Sequence, residues 1–332
     1  MLEELIETSR RYDMNKHDHT VRARDLEFQS DGTIQVPNSF FGAVQPLEST
    51  RWAFGQLASK LGPTVYGKGS TKTLPTDYLM AVDPDLMATN MNRHLSQSEQ
   101  TYMVRAYGNQ ARAIVDSKFP TISNTEILEI VDKILEEERI NFPDINIIRP
   151  YVSADDLNFK IIVRNVSTQT GDYGHGVYVG NGEIGNRRLR VWEAIQRHSC
   201  TNSIVRGTDG VSIDQVHRGS ASHLRILLKS TLVQALRASG ELLDQMLKAD
   251  EEEIPSFTDV IAGLTKEYGW TDEVHDAILV GTEGRETRGG LIAGVSYAAH
   301  RTQEGNDMVD LEILAGKLLS VRGTVFDRLA RV

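Results

Sequence analysis

Apolar residues recur at helical spacing in several parts of the chain, most clearly between Ser222 and Leu247. A single stripe of leucines there predicts a long helix with one buried face. Ser123-Asn-Thr-Glu126 has the pattern of a capping box and predicts the start of another helix. Further helices are expected over Ser49–Leu61, from Pro84 to about Leu95, and in four segments after residue 255. The stripe consists of Leu224, Leu227, Leu228, Leu232, Leu236 and Leu243.

β-Branched and alternating stretches in the middle of the chain predict strands. They are Ile145–Tyr151, Phe159–Val166, Val177–Val179 and Arg188–Trp192, with a shorter candidate at Ala111–Val115. Helices precede and follow this centre, which predicts an α+β fold with a short central antiparallel sheet, including a hairpin, packed by flanking helices. Three regions are expected: a mostly helical one at 1–110, a central α+β core with the hairpin and long helix at 111–250, and a helical one at 251–332.

Composition narrows the class of protein. The 332 residues are 40% hydrophobic and 25% charged, as in globular proteins. Cys200 has no second cysteine to pair with, the first residues are acidic, and no apolar run approaches a membrane span. These features predict a cytoplasmic protein without a membrane segment.

Charge is unevenly distributed along the sequence. The formal net charge is −10, yet the segment 160–240 carries eleven Lys and Arg against five Asp and Glu. That segment is therefore +6 and the remainder −16. A basic quarter in an acidic chain is typical of a localised anion-binding surface, although chance clustering on a solvated face produces the same pattern.

The basic segment contains Gly180-Asn-Gly182-Glu-Ile-Gly185, which matches the spacing of a dinucleotide-binding turn. That motif requires a following helix, whereas Arg188–Trp192 alternates with the period of a strand. Asn181-Gly182 is a strong hairpin-turn pair, so a β-hairpin is the favoured interpretation. Its arginines Arg188 and Arg190 then point to one face.

Arginines on an exposed strand suit phosphate contacts, because guanidinium pairs with two phosphate oxygens. Tyr178 and Trp192 supply candidate stacking surfaces for unpaired bases. The competing interpretation places both aromatic residues in the core, the more common position for isolated aromatic side chains.

Other chemical motifs are incomplete. Gly62–Gly69 lacks the hydroxyl residue and the preceding strand of a phosphate-binding loop. His17-Asp-His19 has no third metal ligand, and Cys200 with His198 has no group to orient the histidine. His300 is interpreted as a satisfied helix-end histidine. No catalytic residue, metal or cofactor is therefore predicted.

Four blocks of sequence carry a family resemblance, in an order that spans most of the chain. They are Phe54–Gly62 with Leu86–Asn92; Arg112–Asn124; Gly176–Gly185 continuing to Arg197–Asn202; and Ile292–His300 with Leu311–Lys317. On these blocks the chain resembles a phage and plasmid family catalogued as domain of unknown function number 932. It departs from that family at Gly182, where serine is usual, and at Ser203, where glycine is usual. The family has no established catalytic residues.

The resemblance implies a phage or mobile-element protein. The order of hairpin, strand and long basic helix is also similar to the layout of phage single-strand annealing proteins of the Red-beta and RecT type. The predicted function is therefore binding and annealing of single-stranded DNA in recombination, by a homo-oligomeric ring or filament without a cofactor. The predicted nucleic-acid-binding residues are Arg187, Arg188, Arg190, Arg197, Arg225, Lys229, Tyr178 and Trp192.

Two alternatives remain open at this point. The acidic remainder of the chain also suits a host-takeover protein that captures a host protein, even by mimicking DNA. Dispersed acids such as Asp155, Asp156 and Asp307 leave a metal-dependent nuclease as a second alternative, although their spacing does not indicate a two-metal site.

Overall fold

The computed structural model describes residues 1–37, 44–66, 79, 81–168, 171–197, 202–206, 212–217, 220–302 and 305–331. Within these ranges the chain forms ten helices and two sheets, and the predicted α+β class is confirmed. Both sheets are larger than the short central sheet that the sequence predicts.

The first sheet has six strands in the order β1-β5-β6-β4-β3-β2. All neighbours are antiparallel except β4 and β6. Helices α2 (Arg51–Tyr66) and α3 (Pro84–Ser96) share an apolar core with this sheet. The strands are β1 (Lys16–Arg22), β2 (Glu27–Phe28), β3 (Thr33–Pro37), β4 (Val44–Ser49), β5 (Thr101–Tyr107) and β6 (Gln110–Asp116).

The sequence predicts a mostly helical region at 1–110 and does not predict a sheet there. Five strands of the first sheet lie in that region, and β6 contains the candidate strand Ala111–Val115. The boundary predicted between residues 110 and 111 also separates β6 from β5, its neighbour in the sheet. The sequence does not predict β1, because β1 is a polar edge strand. His17, Asp18 and Thr20 interrupt the alternation of apolar and polar residues that would indicate a strand.

The second sheet is antiparallel, in the order β11-β10-β9-β8-β7, with β12 also paired to β10. The predicted hairpin is present as β9 and β10, with Tyr178 opposite Trp192. The edge strand β7 has a register shift between Ile148 and Tyr151, where Arg149 has φ of 49° and is followed by Pro150. The strands are β7 (Asn146–Val152), β8 (Asp156–Thr168), β9 (Gly171–Gly182), β10 (Leu189–Arg197), β11 (Asn202–Arg206) and β12 (Ile213–Gln215).

Helices cover both faces of the second sheet. On one face, α4 (Asn124–Glu137) and the first half of α5 (Ala221–Glu251) share a core with β8, β9 and β10. On the other face, α9 packs against Tyr178 and Trp192. The second half of α5 shares a further core with the helices that follow it. Those helices are α6 (Phe257–Tyr268), α7 (Asp272–Gly281), α8 (Arg288–Thr302), α9 (Gly305–Ser320) and α10 (Gly323–Leu329).

The two strongest helix predictions are confirmed. Most of the leucine stripe is buried along α5, whose N-terminus is capped by Ser220. Ser123 caps α4 by accepting a hydrogen bond from the Glu126 backbone N–H at 3.1 Å. The remaining helix, α1 (Leu2–Asp13), buries Leu5 and Ile6 against the core of α4. No helix within the described ranges is long and apolar enough to cross a membrane.

Candidate functional site

The chain reverses direction between β9 and β10 through residues 183–188. The hairpin turn is therefore not at Asn181-Gly182, as the sequence suggests, because both residues still pair with β8. Asn181 is buried and donates a hydrogen bond to the Asn124 side chain at 2.9 Å, which commits it to the strand. Gly185 has φ of +76°, and a Cβ atom there would lie 3.3 Å from the Phe119 ring. The turn thus requires glycine at this position for conformation and for space.

Glu183 anchors the turn from inside the molecule. Its carboxylate is buried and lies 2.8 Å from Lys16 Nζ. Arg105 and Arg112 each place a guanidinium nitrogen 3.9 Å from the same carboxylate. The Asn124 backbone N–H, at the start of α4, donates to it at 2.6 Å. One side chain thereby connects the turn to three strands of the first sheet and to the N-terminus of α4, where the helix dipole favours a negative charge.

A cleft of about 820 Å³ opens beside this turn. One wall is formed by the turn and the start of β10, and the other by α2 and the segment after β6. Five cationic side chains and two carboxylates line it. The cationic residues are Lys60, Lys118, Arg187, Arg188 and Arg190, and the acidic residues are Asp116 and Asp310.

The positive charge of the cleft is only partly neutralised. Arg188 and Arg190 share one carboxylate, that of Asp214, at 3.2 and 3.3 Å. Arg187 lies 3.9 Å from Asp156. Lys60 is half-buried, and burial lowers its pKa while the Asp116 carboxylate opposes that shift. An anion in the cleft would therefore find cationic charge on both walls.

An aromatic pair also lines the cleft. The Phe119 and His217 rings are stacked, with centroids 5.3 Å apart and planes 12° from parallel. Phe119 is half-buried, whereas His217 is only 6% exposed. Burial lowers the pKa of His217, with Arg105 adding to the shift and the Pro120 carbonyl opposing it, so the ring is neutral at pH 7. The Pro120 carbonyl faces one ring nitrogen, and the other has no hydrogen-bond partner in the described part of the chain.

The predicted stacking residues Tyr178 and Trp192 lie elsewhere, in the core. They are 2% and 4% exposed and pack against each other and against Val309 and Ile313 of α9. Burial raises the pKa of Tyr178 far above its usual value. The alternation in the sequence suggests that every second residue of β9 and β10 is exposed to solvent. Helices cover both faces of this sheet, so these residues are buried. Neither ring is accessible to a nucleic-acid base, which corrects that part of the prediction.

Three predicted cationic residues are also absent from the cleft lining. Arg197 pairs with Glu283 at 3.0 Å and is seven residues along β10 from Arg190, or about 23 Å. Arg225 forms a two-bond ion pair with Glu126 at the start of α4. Lys229 is exposed on α5. The structure thus brings together Arg187, Arg188 and Arg190 from the predicted set and leaves the others apart.

Sequence reasoning missed Lys60, Lys118, Phe119 and His217. They come from three segments separated by about sixty and one hundred residues, and only the packing of α2, β6 and β12 around the hairpin turn brings them together. No local pattern marks them. The sequence offers one signal for this site. Asp116-Ser-Lys-Phe-Pro120 places two charged residues next to an aromatic residue at the end of a strand.

The incomplete motifs remain incomplete in the structure. Among the described residues, no group of three or more His, Cys, Asp or Glu side chains is arranged to hold a metal ion. Gly67–Gly69, and Cys200 with His198, lie outside those residues. His300 lies 3.1 Å from Glu312 in a buried cluster with Lys160 and Arg149.

Comparison with known proteins adds no identification. No family model matches the chain, and neither a curated protein nor a solved structure matches it. The resemblance to the phage and plasmid family therefore stays a prediction.

Proposed function

We propose that this protein binds single-stranded DNA in the cationic cleft and promotes annealing in phage or mobile-element recombination. The observation that supports the proposal is the convergence of five cationic side chains on one cleft of an acidic protein. The three arginines of the cleft lie near only two carboxylates, those of Asp156 and Asp214, so the cleft keeps a net positive charge that a polyanion can neutralise. The positive electrostatic potential of the cleft also attracts an anionic strand, whereas the rest of this acidic protein, with a net charge of −10 overall, repels it.

Annealing needs little chemistry from the protein. The cations neutralise backbone phosphates and release counterions, and the bases are left available for pairing. This function requires no catalytic residue or cofactor. A homo-oligomeric ring or filament would place successive clefts along one strand, as the layout likeness to annealing proteins implies.

The double variant R188E/R190E tests the proposal. We expect it to weaken binding of a labelled single-stranded oligonucleotide by roughly tenfold or more, because two phosphate contacts become repulsive. The slope of log affinity against log salt should become shallower by about 1.4, which corresponds to two lost contacts on a single strand. Gel-shift titrations at several salt concentrations measure both quantities, and annealing of complementary strands provides a functional readout.

A charge-matched control is available on α5. The variant K229E/R237E changes the net charge by the same amount at two exposed positions away from the cleft lining. It should retain the wild-type affinity and salt slope. Equal loss in both double variants would show that total charge, not the cleft, governs binding. Absence of binding by the wild type to single or double strands would contradict the proposal and favour capture of a host protein.

A further inference from the structure

We propose that the cleft takes one unpaired nucleobase of the bound strand against Phe119 and His217, with neighbouring phosphates on the cationic side chains of the same cleft. This inference rests on the proposed function and specifies its ligand: a strand with unpaired bases, as opposed to any polyanion. The juxtaposition that carries it is a stacked aromatic pair and five cationic side chains in the lining of one cleft.

Phe119 supplies the apolar contact. Its ring packs on one side with Ala113, Val115 and Ile184, and is stacked with His217. Gly185 lies close enough that any side chain there would contact the ring. Phe119 is therefore held in one orientation while its accessible part lines the cleft. A preordered ring binds a base with little further loss of side-chain entropy.

His217 supplies the polar contact. A neutral imidazole offers one donor and one acceptor. The Pro120 carbonyl faces one ring nitrogen of His217, and the other has no hydrogen-bond partner among the described residues although the side chain is only 6% exposed. A buried polar group without partners is costly, so a ligand that hydrogen-bonds to it gains affinity. The edge of a nucleobase presents donors and acceptors in the plane of the ring, whereas a phosphate presents only acceptors.

The cationic side chains of the cleft account for the rest of a nucleotide. Arg187, Arg188 and Arg190 come from the hairpin, and Lys60 and Lys118 come from α2 and the segment after β6. A base held in the cleft therefore has cations of the same cleft available to its flanking phosphates. In a duplex the paired and stacked bases cannot reach this position, so the arrangement selects single strands.

Comparison of a normal single strand with an abasic strand distinguishes base binding, which is this inference, from phosphate binding, which the proposed function requires. The experiment measures the affinity of the full-length protein for a single-stranded oligonucleotide and for an abasic strand with the same number of phosphates. The wild type should bind the strand with bases roughly 5- to 150-fold more tightly, the range that one base–aromatic contact provides. F119L should lose most of that preference while keeping its affinity for the abasic strand, because leucine preserves the apolar packing but not the aromatic ring.

One control changes a side chain outside the cleft, and two further variants change His217 within it. Y151A removes a half-exposed aromatic residue from β7 and should leave the preference unchanged. H217L should reduce the preference, and H217Q should restore part of it by returning a donor and an acceptor. A deoxymononucleotide should bind at least about a hundredfold more weakly than the strand, because it supplies only one phosphate.

Each contrary result has a distinct meaning. Equal affinity of the wild type for both strands overturns the base position and leaves phosphate binding standing. An unchanged preference in F119L also overturns it. Failure to bind either strand overturns the proposed function and this inference together. Mononucleotide binding as tight as strand binding would assign the cleft to a free nucleotide and overturn the assignment to a strand.

Discussion

Four charged or titratable side chains meet in the interior between the second sheet and helices α8 and α9. Lys160 Nζ lies 2.6 Å from the Glu312 carboxylate, and His300 lies 3.1 Å from it on another side. Arg149 reaches the second nitrogen of His300. Burial by itself raises the pKa of Glu312, but Lys160 and His300 together lower it to about 2. Burial lowers the pKa of His300 from its usual 6.5, so this ring is neutral at pH 7.

This cluster predicts a loss of stability in acid. A folded-state pKa below the unfolded value favours the folded state above the unfolded pKa, and that contribution disappears as pH falls towards the folded pKa. His300 therefore begins to weaken the fold below pH 6.5, and Glu312 weakens it between pH 4.5 and about 2. The Glu312 contribution is roughly 3 kcal/mol. Chemical denaturation at a series of pH values measures this slope.

A double variant that removes both Lys160 and Glu312 provides the control for the predicted loss of stability in acid. The double variant K160M/E312L takes the ion pair out of the interior, so the slope below pH 4.5 should flatten with little net loss of stability. E312Q alone should cost about 3 to 5 kcal/mol, because Lys160 remains buried without its carboxylate. An unchanged acid slope in the double variant would contradict this account.

At the scale of elements, two glycines show how position decides the effect of one methyl group. Gly176 is in the centre of β9, where a Cβ atom would lie 1.8 Å from the Ile161 carbonyl oxygen. Gly240 is in the middle of α5, where a Cβ atom would lie 3.9 Å from the His175 ring, an ordinary contact. The same substitution therefore has opposite consequences in the two elements.

We expect G240A to raise the free energy of unfolding by up to about 1 kcal/mol, because alanine is the better residue inside a helix. G176A should lower it by roughly 3 kcal/mol or more, because the backbone of two paired strands must separate. Denaturant titration of both variants compares the two effects. A stable G176A protein would show that β8 and β9 are not paired in this register.

The elements that the sequence predicted are those whose signals are local. The leucines of α5, the Ser123 cap of α4 and the alternation at Arg188–Trp192 each lie within one segment. Apart from the candidate Ala111–Val115 in β6, the strands of the first sheet were not predicted, and its pairing joins distant segments. The same reason explains the candidate site. The three arginines of the hairpin were predicted, but Phe119 and His217 join them only after the chain has folded.

At the scale of the whole molecule, Glu183 joins the two sheets. Its partners Lys16, Arg105 and Arg112 belong to three strands of the first sheet, while Glu183 itself follows β9 of the second. The cleft lies where the two sheets meet, so the geometry of its walls depends on this carboxylate. Removal of the charge leaves three buried or half-buried cations without their common partner.

The variant E183Q should therefore lower the free energy of unfolding by roughly 1 to 3 kcal/mol, because the three cations lose their common partner while each keeps a second carboxylate. It should also weaken binding of the single strand, because the turn that carries Arg187 and Arg188 loses its anchor. E129Q is the matched control: Glu129 pairs with Arg10 on the surface, and its loss should cost less than about 1 kcal/mol. Thermal and denaturant unfolding compare the two variants, and a wild-type stability of E183Q would contradict the role of this carboxylate.

The outer edge of the second sheet has a consequence for self-association. A flat edge strand offers a row of free backbone groups to any neighbouring chain. On β7 that row is interrupted, because Pro150 has no N–H to donate and Arg149 turns the backbone into the left-handed region. The backbone of β7 therefore disfavours extension of this sheet by a further copy of the chain at that edge. Any ring or filament that the protein builds must join its subunits by side-chain contacts or through other strands.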